Sequence, residues 1–243
     1  MSPLETFGTV LILCAVLSVL ALKLSLLTRS GSAASFIVGV FIGWFGSINW
    51  LIVLIAFTIL GFIVTRYRIQ VKEGRGLQEG RRGERTHRNV LANGLVPAMI
   101  ALISYAVGHQ ADFVSGIAFL SSISVAAADT TASELGVLSD RTKLITTLEK
   151  VPPGTDGGVS AFGTSWAILA AVFASVIGWL IILPGQAVDA RILIPVSMGF
   201  LGCMVDSVIG ATLERRKLVS KLGNNIISMA TGSALAVIIL LLL

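Results

Sequence analysis

The segment that decides the fold lies between two hydrophobic runs and reads ADTTASELGVLSDRTKLITTLEKVPPGTDGGVSAFG, residues 128–163. It combines a Gly-rich turn at 154–158 with acidic and basic side chains, among them Asp129, Glu134, Asp156, Arg141, Lys143 and Lys150. Ionisable groups at membrane depth are costly and are usually functional. Carboxylates beside a Gly-rich turn suit a metal ion and a phosphate group. The segment therefore predicts a polar site within an apolar chain.

The composition identifies the class of protein. Hydrophobic residues make up 55% of the 243 residues and charged residues only 13%, and the mean hydropathy is +0.90. Soluble domains carry roughly 25% charged residues, so we expect an integral membrane protein. The first apolar run has no early Lys or Arg and no small-residue cleavage site after it, which favours a retained span over a signal peptide. Cys14 and Cys203 lie inside apolar runs, and we expect no disulfide between them.

The hydrophobic runs predict the spans. They fall at about 4–27, 33–48, 50–65, 90–108, 111–128, 161–183, 190–212 and 224–243. A helix needs roughly 20 apolar residues to cross a bilayer, and the second and third runs are shorter than that. Residues 33–65 therefore form either one long span or a hairpin that turns at 46–49.

The distribution of positive charge favours the hairpin. With it, every Lys and Arg except Arg191 falls on one side of the membrane, in the loops 66–88, 129–160 and 213–223 or beside Lys23 and Arg29. By the positive-inside rule this side is the cytoplasm. We predict an all-α, polytopic transmembrane helical bundle of about seven to eight spans. It forms a single domain over residues 1–243 of a cell (inner) membrane protein, with a polar active site at the cytoplasmic face.

Two further elements carry polar groups toward that face. Asn89 and Asn93 are four residues apart and share one helical face, where they bind a ligand or hydrogen-bond to another helix. Gly199, Gly202, Asp206 and Gly210 also share a face, a groove of small residues with one carboxylate. Tight helix packing explains the glycines, whereas Asp206 points to a metal or phosphate role. Asn224 and Asn225, at the start of the last span, are candidates for the same cavity.

The missing motifs narrow the chemistry. The sequence has no P-loop, no His pair at metal-binding spacing and no evident Ser-His-Asp set. The basic loop 66–88 has only Tyr67 for base stacking, so nucleic-acid binding has little support. Carboxylates, a Gly-rich turn and cations suit Mg²⁺-dependent phosphoryl or nucleotidyl transfer, in which positioning and charge neutralisation supply most of the catalysis.

Several ordered motifs resemble a known family over essentially the whole chain. The runs NVLANG, AADTTASELG, LITTLEKVPPGTDGGVS and CMVDSVIGAT resemble the integral membrane family labelled domain of unknown function 92, which contains phytyl-phosphate kinase of tocopherol synthesis. That family is distantly similar to the CTP-using dolichol and phytol kinases and to CDP-diacylglycerol synthase. The resemblance implies CTP as the phosphate donor, Mg²⁺ as the cofactor and an isoprenoid monophosphate as the acceptor.

The resemblance also implies roles for individual residues. Asp129 and Asp206 hold Mg²⁺, and Glu134 is an additional ligand or an orienting group. Lys150 neutralises charge during catalysis. Asp156 stands where the family pattern has Asn, and its extra charge either recruits a second metal ion or weakens phosphate binding. The nucleotide is bound by the Gly-rich segment and the asparagines, namely Asn89, Asn93, Gly154, Thr155, Asp156, Gly157, Gly158, Ser160, Asn224 and Asn225.

Three functions remain open at this stage. The first is a CTP-dependent kinase that phosphorylates phytyl or geranylgeranyl phosphate, with the bilayer and a prenyl phosphate lipid as its partners. The second is a CDP-lipid-forming cytidylyltransferase. The third is a transporter of an anionic phosphorylated metabolite, which typically shows an internal repeat; we find none here. A homo-oligomer is compatible with the sequence.

Overall fold

A computed structural model describes residues 3–80, 83–110, 112–183 and 185–243, which fold into a helical bundle. Its helices are α1 Pro3–Lys23, α2 Arg29–Phe45, α3 Ile48–Arg66, α4 Ile69–Arg75, α5 His87–Ala106, α6 Phe113–Gly136, α7 Ala161–Ile182, α8 Leu193–Ile209 and α9 Lys221–Leu242. A 3₁₀ turn at Ala190–Ile192 precedes α8, and a π-helical turn at Gly210–Glu214 follows it. The strands β1 Lys143–Leu144 and β2 Gly158–Val159 pair antiparallel. The chain is an all-α polytopic membrane bundle, as predicted.

Seven helices in the described part of the chain are long and apolar enough to cross a membrane, namely α1, α3, α5, α6, α7, α9 and the stretch Ala190–Glu214. The remaining apolar helix, α2, has 17 residues. A break at Gly46 and Ser47 separates α2 from α3, because the Ser47 side chain accepts from the Trp50 amide and starts a new helix. The predicted hairpin within residues 33–65 is confirmed.

Contacts between the helix ends show how the hairpin runs. Phe7, near the start of α1, meets Trp44 near the end of α2 with 4.8 Å between ring centroids. At the opposite end, the backbone of Arg85 pairs with Leu26 and Thr28 in the α1–α2 loop. We call this second end, where α3 and α6 finish and α5, α7 and α9 begin, the polar end.

Helix α6 forms the centre of the bundle and packs against α3, α5, α7, α8 and α9. Almost every residue from 116 to 128 is buried, so this helix has no face left for lipid. Small residues permit the close packing: a Cβ on Gly202 would lie 2.4 Å from a methyl carbon of Val125. The Trp50 and Phe119 rings stack at 4.3 Å in the same core. This packing holds the carboxyl-terminal turns of α6 in a fixed position at the polar end.

Small residues also permit close packing between α1 and α2. Gly39 and Gly43 of α2 lie against Cys14 and Val10 of α1, which is simple helix packing. Cys14 and Cys203 are both buried and free, so no disulfide joins them.

Candidate active site

The three predicted loops converge at the polar end around a cavity of about 340 Å³. We call it the acidic lobe, because among the described residues six carboxylates line it against one cation, Lys221. The carboxylates belong to Glu79, Asp129, Glu134, Asp156, Asp206 and Glu214. Carboxylates in such excess repel one another unless cations neutralise them. The lobe is therefore built to receive positive charge.

Two of these carboxylates form the centre of the lobe. Asp129 of α6 and Asp206 of α8 both line the lobe and interact electrostatically with each other. The Oδ1 atom of Asp206 is buried without a hydrogen-bond partner in the described part of the chain. A buried acceptor left unpaired is costly, so this oxygen points to a ligand that the protein itself does not supply.

A π-helical turn shapes the wall beside this pair. Arg215 N–H donates to the Gly210 carbonyl five residues earlier, which widens the helix locally. The turn brings Glu214 to Asn224 of α9, whose Nδ2 donates to Glu214 at 3.1 Å and to the Asp206 carbonyl at 3.0 Å. Asn224 thus ties α9 to both acidic positions of the wall. We place it in a structural role at the rim rather than as a group free to bind nucleotide.

The Gly-rich segment packs against the π-helical turn, and all six residues predicted there, 154–158 and 160, line the lobe. Gly157 has φ +73°, and a Cβ on it would lie 2.3 Å from the Ala211 amide nitrogen. Glycine is therefore required at this position by both backbone angle and packing. The Gly158 N–H donates to the Thr155 carbonyl, so it is committed to the turn. This differs from the prediction that Gly158 cradles phosphate through its backbone.

The start of α7 also faces the lobe. The Ser160 side chain caps the helix by accepting from the Gly163 amide at 3.1 Å, and Ser160, Gly163 and Thr164 line the cavity. A helix N-terminus carries partial positive charge and favours anions. The lobe thus combines carboxylates on one wall with an anion-binding helix end on the other, which suits a metal–phosphate ligand.

Glu134 was predicted to be an additional metal ligand or an orienting group, and the structure gives its carboxylate partners within the protein. Its Oε2 accepts from Lys72 Nζ at 2.6 Å and its Oε1 from the Thr65 hydroxyl at 2.9 Å. Lys72, fully buried, also donates to the carbonyls of Val64 and Thr65 at the end of α3. Both carboxylate oxygens are engaged, so Glu134 joins α3, α4 and α6 rather than holding a metal ion. It lies about 140° around the helix from Asp129, which explains the different partners.

Lys150 was predicted to neutralise charge in the site, but the structure places its side chain outside the site. Its side chain is exposed, its backbone forms an isolated bridge with Lys143, and it is absent from the lining of the lobe. Lys221, the first residue of α9, occupies the site instead. It interacts electrostatically with Asp129, Asp206 and Glu214. A signal for Lys221 was present in the sequence, because it lies three and four residues before Asn224 and Asn225 on one helical face.

A second cavity of about 540 Å³ adjoins the first, and both are lined by Glu79, Asp129, Ser133, Glu134 and Lys221. We call it the amide lobe, because it adds three asparagines, Asn89, Asn93 and Asn225, together with Arg85 and Arg88. Asn225 donates to Asn93 at 3.4 Å, while its own Oδ1 is buried without a partner among the described residues.

Asn89 has a structural task in this lobe. Its Oδ1 accepts from the Thr86 amide and completes a capping box at the start of α5. Its Nδ2 donates to Glu79 at 3.1 Å, which ties Glu79 to the start of α5.

Arg85 was not predicted as a site residue. Gly61 leaves room for it, since a Cβ there would lie 2.9 Å from Nη1. Nη2 donates to the Thr65 hydroxyl at 3.0 Å. Burial lowers the pKa of the Arg85 guanidinium, and the carboxylates of Glu134, Glu79 and Asp129 oppose that shift. Because an arginine pKa lies so far above neutrality, the group stays charged.

The acidic lobe fits a magnesium ion that arrives with phosphate. No group of three or more His, Cys, Asp or Glu side chains poised to bind a metal occurs in the described ranges. Mg²⁺, however, is commonly held by one or two carboxylates together with substrate phosphates and water. Asp129 and Asp206 would supply the two carboxylates for such an ion, since both line the lobe and Oδ1 of Asp206 has no partner among the described residues. Asp156 is exposed at the mouth of the lobe.

Comparison with known proteins shows the family. The model of "Integral membrane protein DUF92" matches residues 12–235. The chain belongs to this family. It is 34% identical to an uncharacterized membrane protein of Methanocaldococcus jannaschii over 97% of this chain and 94% of that one. It is 34% identical to an uncharacterized membrane protein of Synechocystis over 79% of this chain and 73% of that one.

A plant relative is also similar. The chain is 31% identical to the chloroplastic protein VTE6 of Arabidopsis thaliana over 87% of this chain and 65% of that protein. No solved structure matches the chain. The similarity to two membrane proteins and the apolar helices agree that this is an integral membrane protein of the DUF92 family.

Proposed function

We propose that this protein is a membrane-embedded kinase that transfers the γ-phosphoryl group of CTP to an isoprenoid monophosphate and forms the diphosphate. The observation that carries the proposal is the acidic lobe, which is lined by a Gly-rich turn, a helix N-terminus and Asp206, whose buried Oδ1 has no partner among the described residues. The choice of CTP and of a phytyl or geranylgeranyl acceptor rests on the resemblance to the phytyl-phosphate kinase family.

The residues of the acidic lobe divide the work of binding the nucleotide. Asp129 and Asp206 would hold Mg²⁺, which supplies charge neutralisation and orientation of the phosphates. The start of α7 and the turn at 154–157 receive the triphosphate. Lys221 lies between the lobes and lines both of them, so it is placed to balance the charge that develops during transfer.

The amide lobe receives the acceptor in this proposal. An oxygen of the acceptor phosphate attacks the γ-phosphorus, the bond between that phosphorus and the bridging β-oxygen breaks, and CDP leaves. Arg85, Arg88 and Lys221 counter the negative charge of the acceptor. The positive-inside rule, applied to the basic loops of the sequence, supports a cytoplasmic position for this end of the bundle, in a protein of the inner cell membrane.

The test uses purified protein in detergent with Mg²⁺, CTP and geranylgeranyl monophosphate, with products followed by mass spectrometry. Geranylgeranyl diphosphate and CDP in equal amounts are expected, and the Asp129→Asn variant should form both on the order of 10³-fold more slowly. A CDP-lipid with pyrophosphate would assign the protein to the cytidylyltransferases. An absence of turnover together with an absence of thermal stabilisation by nucleotide would overturn the enzyme proposal in favour of a transporter.

A further inference from the structure

An apolar chamber of about 310 Å³ lies between α1, α2, α3 and α5, beside the site described above. Aliphatic and aromatic side chains form most of its wall, including Leu17, Leu51, Leu54, Phe57 and Phe62. Its volume falls in the range of roughly 300–1,000 Å³ that is typical of ligand pockets. The chamber is large enough to hold an apolar group of ligand size.

The few polar groups deep in this chamber are already satisfied. The Ser18 and Ser35 hydroxyls lie 3.1 Å apart and hydrogen-bond to each other. The Thr58 hydroxyl donates to the Leu54 carbonyl at 2.8 Å. Because these hydroxyls already have hydrogen-bond partners within the protein, they do not require a polar ligand. The interior of the chamber therefore suits hydrocarbon.

The chamber adjoins the amide lobe at one end. Arg85, Asn89 and Asn93 line both cavities. A molecule that occupies both therefore needs an apolar body and an anionic head. At the other side, Leu20 and Ile59 line the chamber and are 47% and 52% exposed. In a membrane these exposed side chains face lipid, which provides a lateral entrance.

A second apolar groove shows why the position of the chamber matters. The groove lies between α5, α6 and α9 and is larger, about 680 Å³. It shares no lining residue with either polar lobe among the described residues. The volume of a cavity therefore does not decide where an amphiphile binds. The chamber is favoured over the larger groove because the charged Arg85 lines both the chamber and the amide lobe.

We infer that the chamber between α1, α2, α3 and α5 seats the hydrocarbon tail of the phosphate acceptor, a single-chain isoprenoid. Its monophosphate then lies in the amide lobe beside Arg85 and Arg88, opposite the nucleotide in the acidic lobe. The inference rests on the proposed function for the isoprenoid nature of the acceptor. The tail enters between α1 and α3 from the bilayer, and the phosphate never leaves the polar end.

Two variants, each of which fills one apolar cavity with a larger side chain, test whether the chamber binds the hydrocarbon tail. Leu54→Trp fills the chamber, and Ile100→Trp places the same side chain in the α5–α6–α9 groove; both positions are half-buried apolar residues of the same core. We expect Leu54→Trp to raise KM for geranylgeranyl phosphate at least tenfold and to leave KM for a five-carbon prenyl phosphate unchanged. Ile100→Trp should change neither. Equal effects of the two variants would overturn the inference.

Folding is checked separately in each variant through the melting temperature and its rise on adding CTP and Mg²⁺. If Leu54→Trp fails this check, Leu54→Phe replaces it, with Ile100→Phe as its control. An unchanged KM for the long chain in a folded filling variant contradicts the seat.

A labelling experiment keeps this inference distinct from the kinase reaction. Geranylgeranyl phosphate with a diazirine at the far end of its chain is photolysed on the protein, and labelled peptides are mapped. Labels on α1 and α3 that unlabelled geranylgeranyl phosphate displaces, and geranylgeraniol does not, support the seat. Labels spread over α5, α6 and α9 contradict it even if the kinase is active. Labels in the chamber without any turnover would support binding of the tail in the chamber and overturn the proposed kinase reaction.

Discussion

Two clusters of charge lie side by side at the polar end, and they are built in opposite ways. In the first, which we call the Glu134 cluster, a buried carboxylate is matched by Lys72 and the Thr65 hydroxyl. In the second, the acidic lobe, carboxylates outnumber cations and one buried oxygen of Asp206 has no partner in the described residues. Helix α6 contributes a carboxylate to each cluster: Glu134 to the first and Asp129, five positions earlier, to the second.

The difference separates a structural role from a ligand-binding role. A buried charge with complete partners stabilises the arrangement of α3, α4 and α6, and breaking it is costly. Unbalanced carboxylates destabilise the protein that holds them unless a cation binds. Residues that weaken the protein without a ligand are expected where the ligand acts.

The largest effect on activity is expected at Asp129 and Asp206. Asp129→Asn or Asp206→Asn should lower kcat on the order of 10³-fold, since each removes a charge that acts on the reacting phosphates. The melting temperature without ligand should stay the same or rise, because carboxylate repulsion is relieved. The control is Asp140→Asn, an exposed partner of Arg75. Wild-type turnover in both acidic-lobe variants would contradict the assignment.

The Glu134 cluster should respond in stability instead. Glu134→Gln leaves the Lys72 ammonium buried without its counter-charge, and we expect a loss of about 3–5 kcal/mol in the free energy of unfolding. The double variant Lys72→Met/Glu134→Leu removes both charges and should recover most of that loss. Thermal unfolding in detergent measures both. A full loss of activity in Glu134→Gln without a lower melting temperature would return Glu134 to the catalytic site.

Lys221 and Lys150 form a third comparison, between a lysine inside the site and one outside it. Lys221→Met should lower kcat/KM about 10–100-fold, because the one cation that lines the acidic lobe in the described ranges is lost. Lys150→Met should change kcat/KM less than twofold, because that side chain is exposed away from both lobes. Steady-state kinetics with varied CTP distinguish the two, and the reverse ranking would contradict the structure.

The smallest effect is expected from two glycines that share a backbone angle. Gly157 has φ +73° and Gly185 has φ +86°, but only Gly157 lies against another chain segment, Ala211. Gly157→Ala should displace the turn and raise KM for CTP several-fold. Gly185→Ala should cost only about 1 kcal/mol of backbone strain and leave KM unchanged. Equal KM values in both variants would show that the turn does not contact the nucleotide.

Much of the fold was predictable because its signals are local. Apolar runs mark the helices, and the Gly46–Ser47 break marks the hairpin. The small-residue face around Asp206 predicted close packing, and Gly199, Gly202 and Gly210 all lie within contact distance of neighbouring segments. The presence of Asp129, Asp206 and the turn at 154–158 in one cavity followed from the same topology, since charged loops gather on one side of a membrane.

The partners of the charged residues were not predictable in this way. Glu134 pairs with Lys72 and Thr65 across 62 and 69 residues of chain, and no local pattern encodes such a contact. Glu214 reaches the site through a π-helical turn, which a regular 3.6-residue period does not describe. The Arg85 guanidinium is buried at the polar end because Gly61 of α3 leaves space for it.

The sequence by itself determined that this chain is a polytopic helical membrane protein with a polar, carboxylate-rich site, because hydropathy and charge are properties of short segments. Only the tertiary structure decided which carboxylates are neutralised, which lysine lies in the site, and that an apolar chamber adjoins the amide lobe. Those features depend on how close separate helices approach, and that distance is set by packing across the whole bundle.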